Sequence, residues 1–190
     1  MRPLDATPLN SAEEAAACAR MLVMTEPWIT LQLTFERALE RLSDARYESY
    51  AVRDDDGIAG FIDLDMHGLL AGYIQTVCVR PDQQPRGLGS GLIRWAEDRI
   101  FRDSPNVFIC VSSFNPRARQ LYERLGYEQI GLLRAFGVAE HDELLLRKTR
   151  GSWAEFRQRA SSPEVEGPVG RRLEVGGAAD RRIDELRSSR

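Results

Sequence analysis

The chain has 190 residues, of which 43% are hydrophobic and 29% charged, and its formal net charge is −3. This length and composition are typical of one soluble globular domain with a core of its own. The negative charge balance gives no electrostatic basis for nucleic acid or an anionic membrane as the main partner. The three cysteines lack paired or metal-ligand spacing and no long apolar run is present, so the sequence predicts no metal site and a cytoplasmic protein.

The N-terminal third of the chain predicts two helices and a hairpin. Ser11 followed by "AEE" is a capping-box pattern, which predicts a helix from there to about Met24. The segment "TEPWIT" ends it because Pro27 disfavours a helical Glu26, and apolar spacing predicts a second helix over "TFERALERL". The run "YESYAVRDDDGIAGFIDLDM" then predicts two strands joined by the turn "DDDG", with Gly57 at a positive φ.

The rest of the chain up to residue 150 predicts alternating strands and helices. "GYIQTVCVRP" and "NVFICVSS" are typical of buried strands, and an amphipathic helix through about Phe101 separates them. "NPRARQLYERLG" predicts a helix with Asn115 as its N-cap and Gly126 just past its end. "YEQIGLL" and "DELLLRK" predict a last pair of strands. The order of elements predicts a mixed α/β domain with one strand–helix–strand crossover.

The composition changes near residue 161. The segment "SSPEVEGPVGRRLEVGGAADRRIDELRSSR" has few large apolar side chains, so it cannot bury enough surface to offset the entropy of ordering. The sequence therefore predicts a folded domain over residues 1–160 and a disordered tail over residues 161–190.

The loop "QQPRGLGSG" between the first buried strand and the amphipathic helix is either an anion site or only a tight turn that begins a helix. Amides at a helix N-terminus are unpaired and carry the positive end of the dipole, and glycines let an anion approach them. A P-loop is excluded, because no Gly-Lys-Ser/Thr follows. A dinucleotide site is disfavoured, because Gly87, Gly89 and Gly91 are spaced G-x-G-x-G and the next strand ends "VSSF", without a carboxylate.

Two separate motifs, the loop Gln84-Pro-Arg-Gly87-Leu-Gly89 and the segment "SSFNPRARQLYERLGYEQIG", follow each other along the chain. Together they resemble the GNAT family of acetyl-CoA-dependent N-acetyltransferases. The loop is similar to the family's Q/R-x-x-G-x-G/A loop, and the segment is similar to its second signature, an Asn, a Tyr seven residues later and then "GY". The resemblance covers about residues 11–148 and looks closest to the ribosomal-protein-alanine N-acetyltransferase branch. It implies a single domain with a central, mostly antiparallel sheet that is splayed in the middle and flanked by about four helices.

The resemblance also implies roles for individual residues. The loop amides would bind the pyrophosphate of CoA, and the backbone of the preceding strand would pair with the pantetheine arm, with an amide near Val77 or Cys78 polarising the thioester carbonyl. Tyr122 would protonate the departing thiolate as a general acid; the alternative is that Tyr122 only packs and Asn115 only caps. The implied cofactor-binding residues are Val77, Cys78, Val79, Gln84, Arg86, Gly87, Leu88, Gly89, Ser90 and Asn115.

The residue that would receive the proton of the acceptor amine does not follow from the resemblance. Family members often carry a Glu on the strand before the glycine loop or on the strand before the Asn, but the sequence here has "GYIQTV" and "VFICV", with Cys110 in the second. Relay through water remains open. The candidates for a base or an acceptor contact are Glu26, in the helix-breaking loop, and Asp65 and His67, which with Asp63 alternate along one predicted strand and would share a face. The resemblance also implies that His141 and Asp142, at the start of the last strand pair, lie near the acceptor.

The predicted function is transfer of an acetyl group from acetyl-CoA, as co-substrate, to a primary amine by direct attack on the thioester. The acceptor would be a peptide or protein N-terminus, a lysine or a small-molecule amine, and the enzyme a monomer or homodimer. The alternative is a non-catalytic CoA-binding sensor or interaction module, which the missing Glu keeps open.

Overall fold

The computed structural model describes residues 4–161, in which five α-helices surround a seven-stranded sheet. The strands are β1 (Thr7–Pro8), β2 (Tyr47–Asp54), β3 (Gly57–Asp65), β4 (Tyr73–Val79), β5 (Asn106–Ser112), β6 (Glu128–Val138) and β7 (His141–Thr149). The helices are α1 (Ala12–Val23), α2 (Phe35–Leu42), α3 (Leu88–Ile100), α4 (Pro116–Arg124) and α5 (Trp153–Ser161), and a 3₁₀ turn, Pro81–Arg86, precedes α3.

The caps and the turn predicted from the local sequence are present in the structure. The Ser11 hydroxyl accepts the Glu14 amide at 3.2 Å and caps α1. The Asn115 side chain accepts the Ala118 amide at 3.1 Å and caps α4. Gly57 joins β2 to β3 at a φ of +106°. The predicted order of helices and strands is confirmed; β1, the 3₁₀ turn and α5 were not predicted.

The strands lie in the order β1-β2-β3-β4-β5-β7-β6. Neighbours are antiparallel except β4 and β5, which are parallel and connected through α3, so the predicted mixed, mostly antiparallel sheet is confirmed. Helices α3 and α4 cover one face over a core that includes Ile62, Ile93 and Val107. Helices α1 and α2 cover the other face over a second core that includes Leu22 and Phe61.

The parallel pair β4–β5 is joined only at its beginning. Tyr73 is paired with Phe108 and Ile74 with Ile109, and the pairing stops there. On the opposite edge of β4 the register to β3 shifts between Thr76 and Ile74, which leaves Gln75 as an extra residue. A bulge of this kind bends its strand and increases the local twist. The bend lies where β4 leaves β5, and the sheet is splayed from that point.

Residues 162–190, which contain nearly all of the predicted tail, lie outside the described residues. Ser161, the first residue of that predicted tail, is the last residue of α5. None of the helices within residues 4–161 is long and apolar enough to cross a membrane.

We predict that Gly72→Ala destabilises the protein more than Gly57→Ala does. Both glycines have a positive φ, +90° and +106°. A Cβ on Gly72 would lie 2.5 Å from the Asn106 carbonyl oxygen, whereas one on Gly57 would meet nothing within 4 Å. Overpacking of this kind costs about 1–3 kcal/mol, so urea unfolding should show that extra loss for Gly72→Ala. Equal losses would show that the start of β4 adapts to a methyl group.

Candidate active site

A cleft of about 720 Å³ opens where β4 and β5 part. Both strands line it, together with the start of α3, the inner side of α4, the loop between α1 and α2, and the β6–β7 hairpin. The cleft therefore connects the glycine loop with the face of the sheet that carries α1 and α2. It has two ends of different chemistry.

The start of α3 supplies unpaired amides at one end of the cleft. Gly87, at a φ of +79°, is the N-cap and offers no side-chain acceptor. The first backbone amide of α3 that donates a hydrogen bond to a preceding carbonyl is that of Gly91, which donates to Gly87 at 3.1 Å. The amides of residues 88–90 therefore have no acceptor among the described residues. A Cβ on Gly87 would meet nothing within 4 Å, so an anion can reach these amides from the open side.

The predicted loop residues divide by position. Arg86 is exposed, and its guanidinium donates to the Gln83 side chain at 3.4 Å. Leu88 packs against the core beneath α3. The loop residues that line the cleft are Gln84, Gly87, Gly89 and Ser90.

The edge of β4 supplies a second set of backbone groups. The Arg80 amide donates to the Ala59 carbonyl on β3 at 2.9 Å. Successive amides of a strand point to opposite edges, so the N–H groups of Val79 and Val77 point away from β3 and into the splay. Cys78 directs its side chain into the core under α1 and α2, where it is buried. Beyond Ile74 this edge has no strand partner.

Helix α4 brings Tyr122 and Asn115 to the same cleft. Tyr122 is 5% exposed, and its ring meets that of Tyr127 edge to face at 5.9 Å between centroids. Burial raises the pKa of the Tyr122 phenol, which keeps the hydroxyl protonated at neutral pH. Asn115 both caps α4 and lines the cleft.

The other end of the cleft lies between the α1–α2 loop and an irregular part of β6. The register of β6 and β7 breaks between Leu133 and Val138, where Ala135 has a φ of +48° and its amide donates to the Asp142 carboxylate at 3.1 Å. This irregular segment carries Gly137 to the α1–α2 loop, because a Cβ there would lie 3.0 Å from a methyl group of Leu31. The two segments together form a roof over the cleft.

Of the three residues predicted as bases or acceptor contacts, the structure brings only Glu26 to the cleft. It is exposed at the mouth, and its carboxylate accepts from the Thr30 hydroxyl at 3.1 Å and from the Thr30 amide at 3.3 Å. Asp65 and His67 lie outside the cleft lining, and the Asp65 carboxylate accepts the His67 amide at 3.0 Å. The expected strand alternation through His67 is wrong, because β3 ends at Asp65.

The other residues that the sequence suggested near the acceptor make contacts that hold the fold together. Asp142 holds the irregular part of β6, as described above, and the His141 ring packs on Phe114 at 4.5 Å between centroids. Trp28 packs against the α1–α2 core and also lines the cleft. Leu69, in the loop between β3 and β4, is 98% exposed and lies outside the cleft lining.

The sequence interpretation missed Glu143, a carboxylate inside the cleft. Glu143 lies on β7 directly opposite Ser112 of β5, and the Ser112 hydroxyl donates to its carboxylate at 2.5 Å. Burial raises the pKa of Glu143, and the bond from Ser112 opposes that rise. The sequence did contain an indication of this carboxylate, because Glu143 lies in the predicted strand "DELLLRK". Successive side chains of a strand point to opposite faces, so Glu143 faces away from the apolar side on which Leu144 lies.

Two further residues lie on the same face as Glu143. Cys110, which lies in the predicted buried strand "NVFICVSS", is half-buried and lines the cleft, as does Tyr73. The two side chains interact with each other, and burial raises the pKa of both. The thiol of Cys110 is therefore protonated at neutral pH.

Asp63 forms a separate buried polar cluster beneath the α1–α2 side of the cleft. Its side chain is 0% exposed, and neither carboxylate oxygen accepts a hydrogen bond from the residues that the structure describes. Burial raises its pKa to about 6, against the opposing influence of Ser49, Arg41 and Thr76. The Arg41 guanidinium lies 5.8 Å from the centre of the Trp28 ring.

The comparison with known families identifies the chain. The model of the family described as "Acetyltransferase (GNAT) family" matches residues 14–127, more than half of the chain and including the glycine loop, Asn115 and Tyr122. The chain belongs to the GNAT acetyltransferase family. This membership and the fold make the protein an acyltransferase. Comparison with curated proteins gives no match.

Solved GNAT structures share the fold of this protein. The ribosomal-protein-S18-alanine N-acetyltransferase of Escherichia coli is 19% identical, with a TM-score of 0.64 over 78% of this chain and 94% of that one. An aminoglycoside 6′-N-acetyltransferase complexed with coenzyme A is 16% identical, with a TM-score of 0.61 over 76% and 96%. The spermidine/spermine N-acetyltransferase of Vibrio cholerae is 17% identical, with a TM-score of 0.60 over 84% and 99%. At these identities the likeness shows the fold.

We predict that Asp63→Asn raises the melting temperature at pH 8 and that this gain shrinks towards pH 4. The folded-state pKa of about 6 exceeds the ordinary value of 3.8, so the folded state binds a proton more tightly than the unfolded chain. The stability that Asp63 lends is then lost as the pH rises through this window, and an uncharged amide avoids the loss. Asp65→Asn controls for the removal of one charge from β3. A lower melting temperature of Asp63→Asn at pH 8 would show instead that ionised Asp63 stabilises the fold through Arg41.

Proposed function

We propose that this GNAT protein transfers the acetyl group of acetyl-CoA to a primary amine by direct attack on the thioester. The amine belongs to a peptide or protein N-terminus, a lysine or a small molecule. The observation that carries the proposal is the splay between β4 and β5, because one cleft there joins the unpaired amides of α3, the free edge of β4 and Tyr122. Family membership supports acetyl-CoA as the acyl donor.

The residues of the cleft fit coenzyme A. The amides of residues 88–90 offer three donors to a pyrophosphate at the positive end of the α3 dipole. The free edge of β4 offers the Val77 and Val79 amides to the amide groups of a pantetheine arm, as in strand addition. Asn115 lines the cleft, where it would contact that arm. Of the two amides implied to polarise the thioester carbonyl, the geometry favours Val77, because the Cys78 amide points to β3.

Tyr122 supplies the proton for the leaving thiolate. Its burial keeps the phenol protonated, which is the form that a general acid requires. Its position on the cleft wall places it within the space shared by donor and acceptor. If Tyr122 only packed against the core, turnover would not depend on its hydroxyl.

The acceptor end supports an amine substrate held between apolar walls. Trp28, Leu31 and Phe136 line this end of the cleft. The structurally similar proteins described above are named for acceptors that differ widely, an alanine of a ribosomal protein, an aminoglycoside and spermidine or spermine. Their shared feature is N-acetylation, which supports an amine as the acceptor class here.

We predict that acetyl-CoA raises the melting temperature of the protein, whereas NAD and ATP do not. Ser90→Pro should weaken acetyl-CoA binding by about tenfold or more, because a hydrogen bond to a charged group contributes about 1.5–3 kcal/mol and 1.4 kcal/mol is tenfold. Proline is tolerated in the first helical turn, so the variant removes one unpaired amide without breaking a helical bond. Ser90→Ala, which keeps the amide, is the control, and calorimetric titration measures both. No thermal shift with saturating acetyl-CoA would overturn the cofactor assignment.

We predict that Tyr122→Phe lowers kcat at least tenfold and leaves the KM for acetyl-CoA near that of the wild type, since general acids contribute about 10²–10⁴-fold. Tyr127→Phe is the matched control, because Tyr127 is a buried neighbour outside the cleft lining. Release of free CoA with an acceptor found by screening amines is the measurement. Unchanged turnover in Tyr122→Phe would remove Tyr122 from the mechanism.

A further inference from the structure

Glu143 lies at the inner end of the acceptor half of the cleft. The residue is 8% exposed, and Ser112 fixes one of its carboxylate oxygens by a hydrogen bond of 2.5 Å. A Cβ on Gly137 would lie 4.0 Å from that same oxygen, so the carboxylate sits beneath the roof where β6 meets Leu31. A group that enters between the α1–α2 loop and the β6–β7 hairpin reaches this carboxylate at the bottom.

The Glu143 carboxylate has no cationic partner among the described residues. The ion pairs of the protein within residues 4–161 engage other carboxylates, such as Glu97 with Lys148 and Glu48 with Arg99. Buried charges are otherwise paired in folded proteins, since an isolated one is costly. An ionised, largely buried carboxylate that faces a cleft therefore lacks the positive group that a bound ammonium would supply.

The other acidic side chains near the cleft do not share this arrangement. Glu26 lies at the exposed mouth and is bonded to Thr30. Asp63 lies behind β4, outside the cleft lining and facing Arg41. Within the described part of the chain, Glu143 is the one buried carboxylate that lines the cleft.

We propose that Glu143 binds the ammonium group of the acceptor and takes its proton, which makes it the catalytic base of the reaction. This inference rests on the proposed function. A proton passes from the acceptor ammonium to the Glu143 carboxylate, and the free amine forms the new C–N bond at the acetyl carbonyl. The C–S bond breaks, the thiolate takes a proton from Tyr122, and Tyr122 regains one from the nitrogen of the new amide. Glu143 then releases its proton to solvent, so the net products are the acetylated amine, CoA thiol and one proton.

The surroundings of Glu143 suit this role. Tyr73 of β4 and Cys110 of β5 are the titratable side chains that face it, and both stay neutral because burial raises their pKa values. Arg37 and Arg41 of α2 line the cleft as well, but neither forms an ion pair with Glu143. The raised pKa of Glu143 brings it closer to that of an amine, which makes it a stronger base than an exposed glutamate.

The test compares the wild type with Glu143→Gln, which keeps the shape of the side chain and an acceptor for Ser112. The acceptors are an alanine-initiated peptide, lysine, spermidine and an aminoglycoside, each with acetyl-CoA. At pH 7 we expect kcat/KM for the amine to fall at least 100-fold. The deficit should shrink as the pH rises towards 10, because the amine then loses its proton without help. Glu128→Gln, which removes an exposed charge of β6 outside the cleft, should match the wild type.

A second variant tests the assignment through the pH profile. In the wild type, kcat/KM should rise with pH as Glu143 ionises. Ser112→Ala should move this rise to higher pH, because the Ser112 hydroxyl lowers the pKa of Glu143. An unmoved profile would overturn the assignment, as would wild-type kcat/KM in Glu143→Gln at every pH.

A further test does not depend on turnover and is made on the protein without ligands. The carboxyl ¹³C signal of Glu143, assigned by its loss in Glu143→Gln, should titrate above the ordinary glutamate range, and a midpoint within or below that range would overturn the proposal. This titration still tests the proposal for Glu143 if acetyl-CoA binds but none of the four amines is acetylated. If acetyl-CoA produces no thermal shift in the wild type, the proposed function itself fails, and the two failures are thereby distinguished.

Discussion

The central constraint on this molecule is that β4 and β5, neighbours in the middle of the sheet, pair over only two residues each. Parallel neighbours ordinarily exchange slanted hydrogen bonds along their whole length, and buried backbone groups left without partners are costly. The bulge at Gln75 bends β4 away from β5 at the last shared pair. The edge of β4 beyond Ile74 therefore presents donors and acceptors to a cleft, and an extended ligand can satisfy them as a strand would.

The same connection that makes the pair parallel also builds the candidate anion site. A parallel pair requires a crossover, and here the crossover is the 3₁₀ turn followed by α3, which begins just after β4 ends. The positive end of the α3 dipole thus opens on the cleft that the splay creates. The acceptor half has a different origin, because the α1–α2 loop and the irregular part of β6 come from opposite ends of the domain and meet at Leu31 and Gly137.

Two buried carboxylates on the α1–α2 face have different electrostatic surroundings. Asp63 faces Arg41 in a closed cluster, while Glu143 faces the cleft and has only the Ser112 hydroxyl to stabilise its charge. A fold retains a poorly compensated carboxylate at a cost in stability, and such residues are concentrated at functional sites. The proposed cofactor site is therefore built from backbone groups and the proposed acceptor site from side chains, which suits a family in which one acyl donor serves varied acceptors.

The sequence by itself determined the helices, the hairpin at Gly57, the order of elements and the residues of the glycine loop, because caps, turns and periodicity act between residues a few positions apart. It also placed Asn115 and Tyr122 on one helix, since a helix fixes their spacing. Only the tertiary structure decided which acidic residues reach the cleft. Glu143 and Ser112 are 31 residues apart in the sequence and are brought together by the pairing of β7 with β5. The splay depends on a bulge that no local sequence pattern indicates. Strand register and bulges result from packing of the whole sheet, so the sequence could indicate the glycine loop at one end of the cleft but not Glu143 at the other.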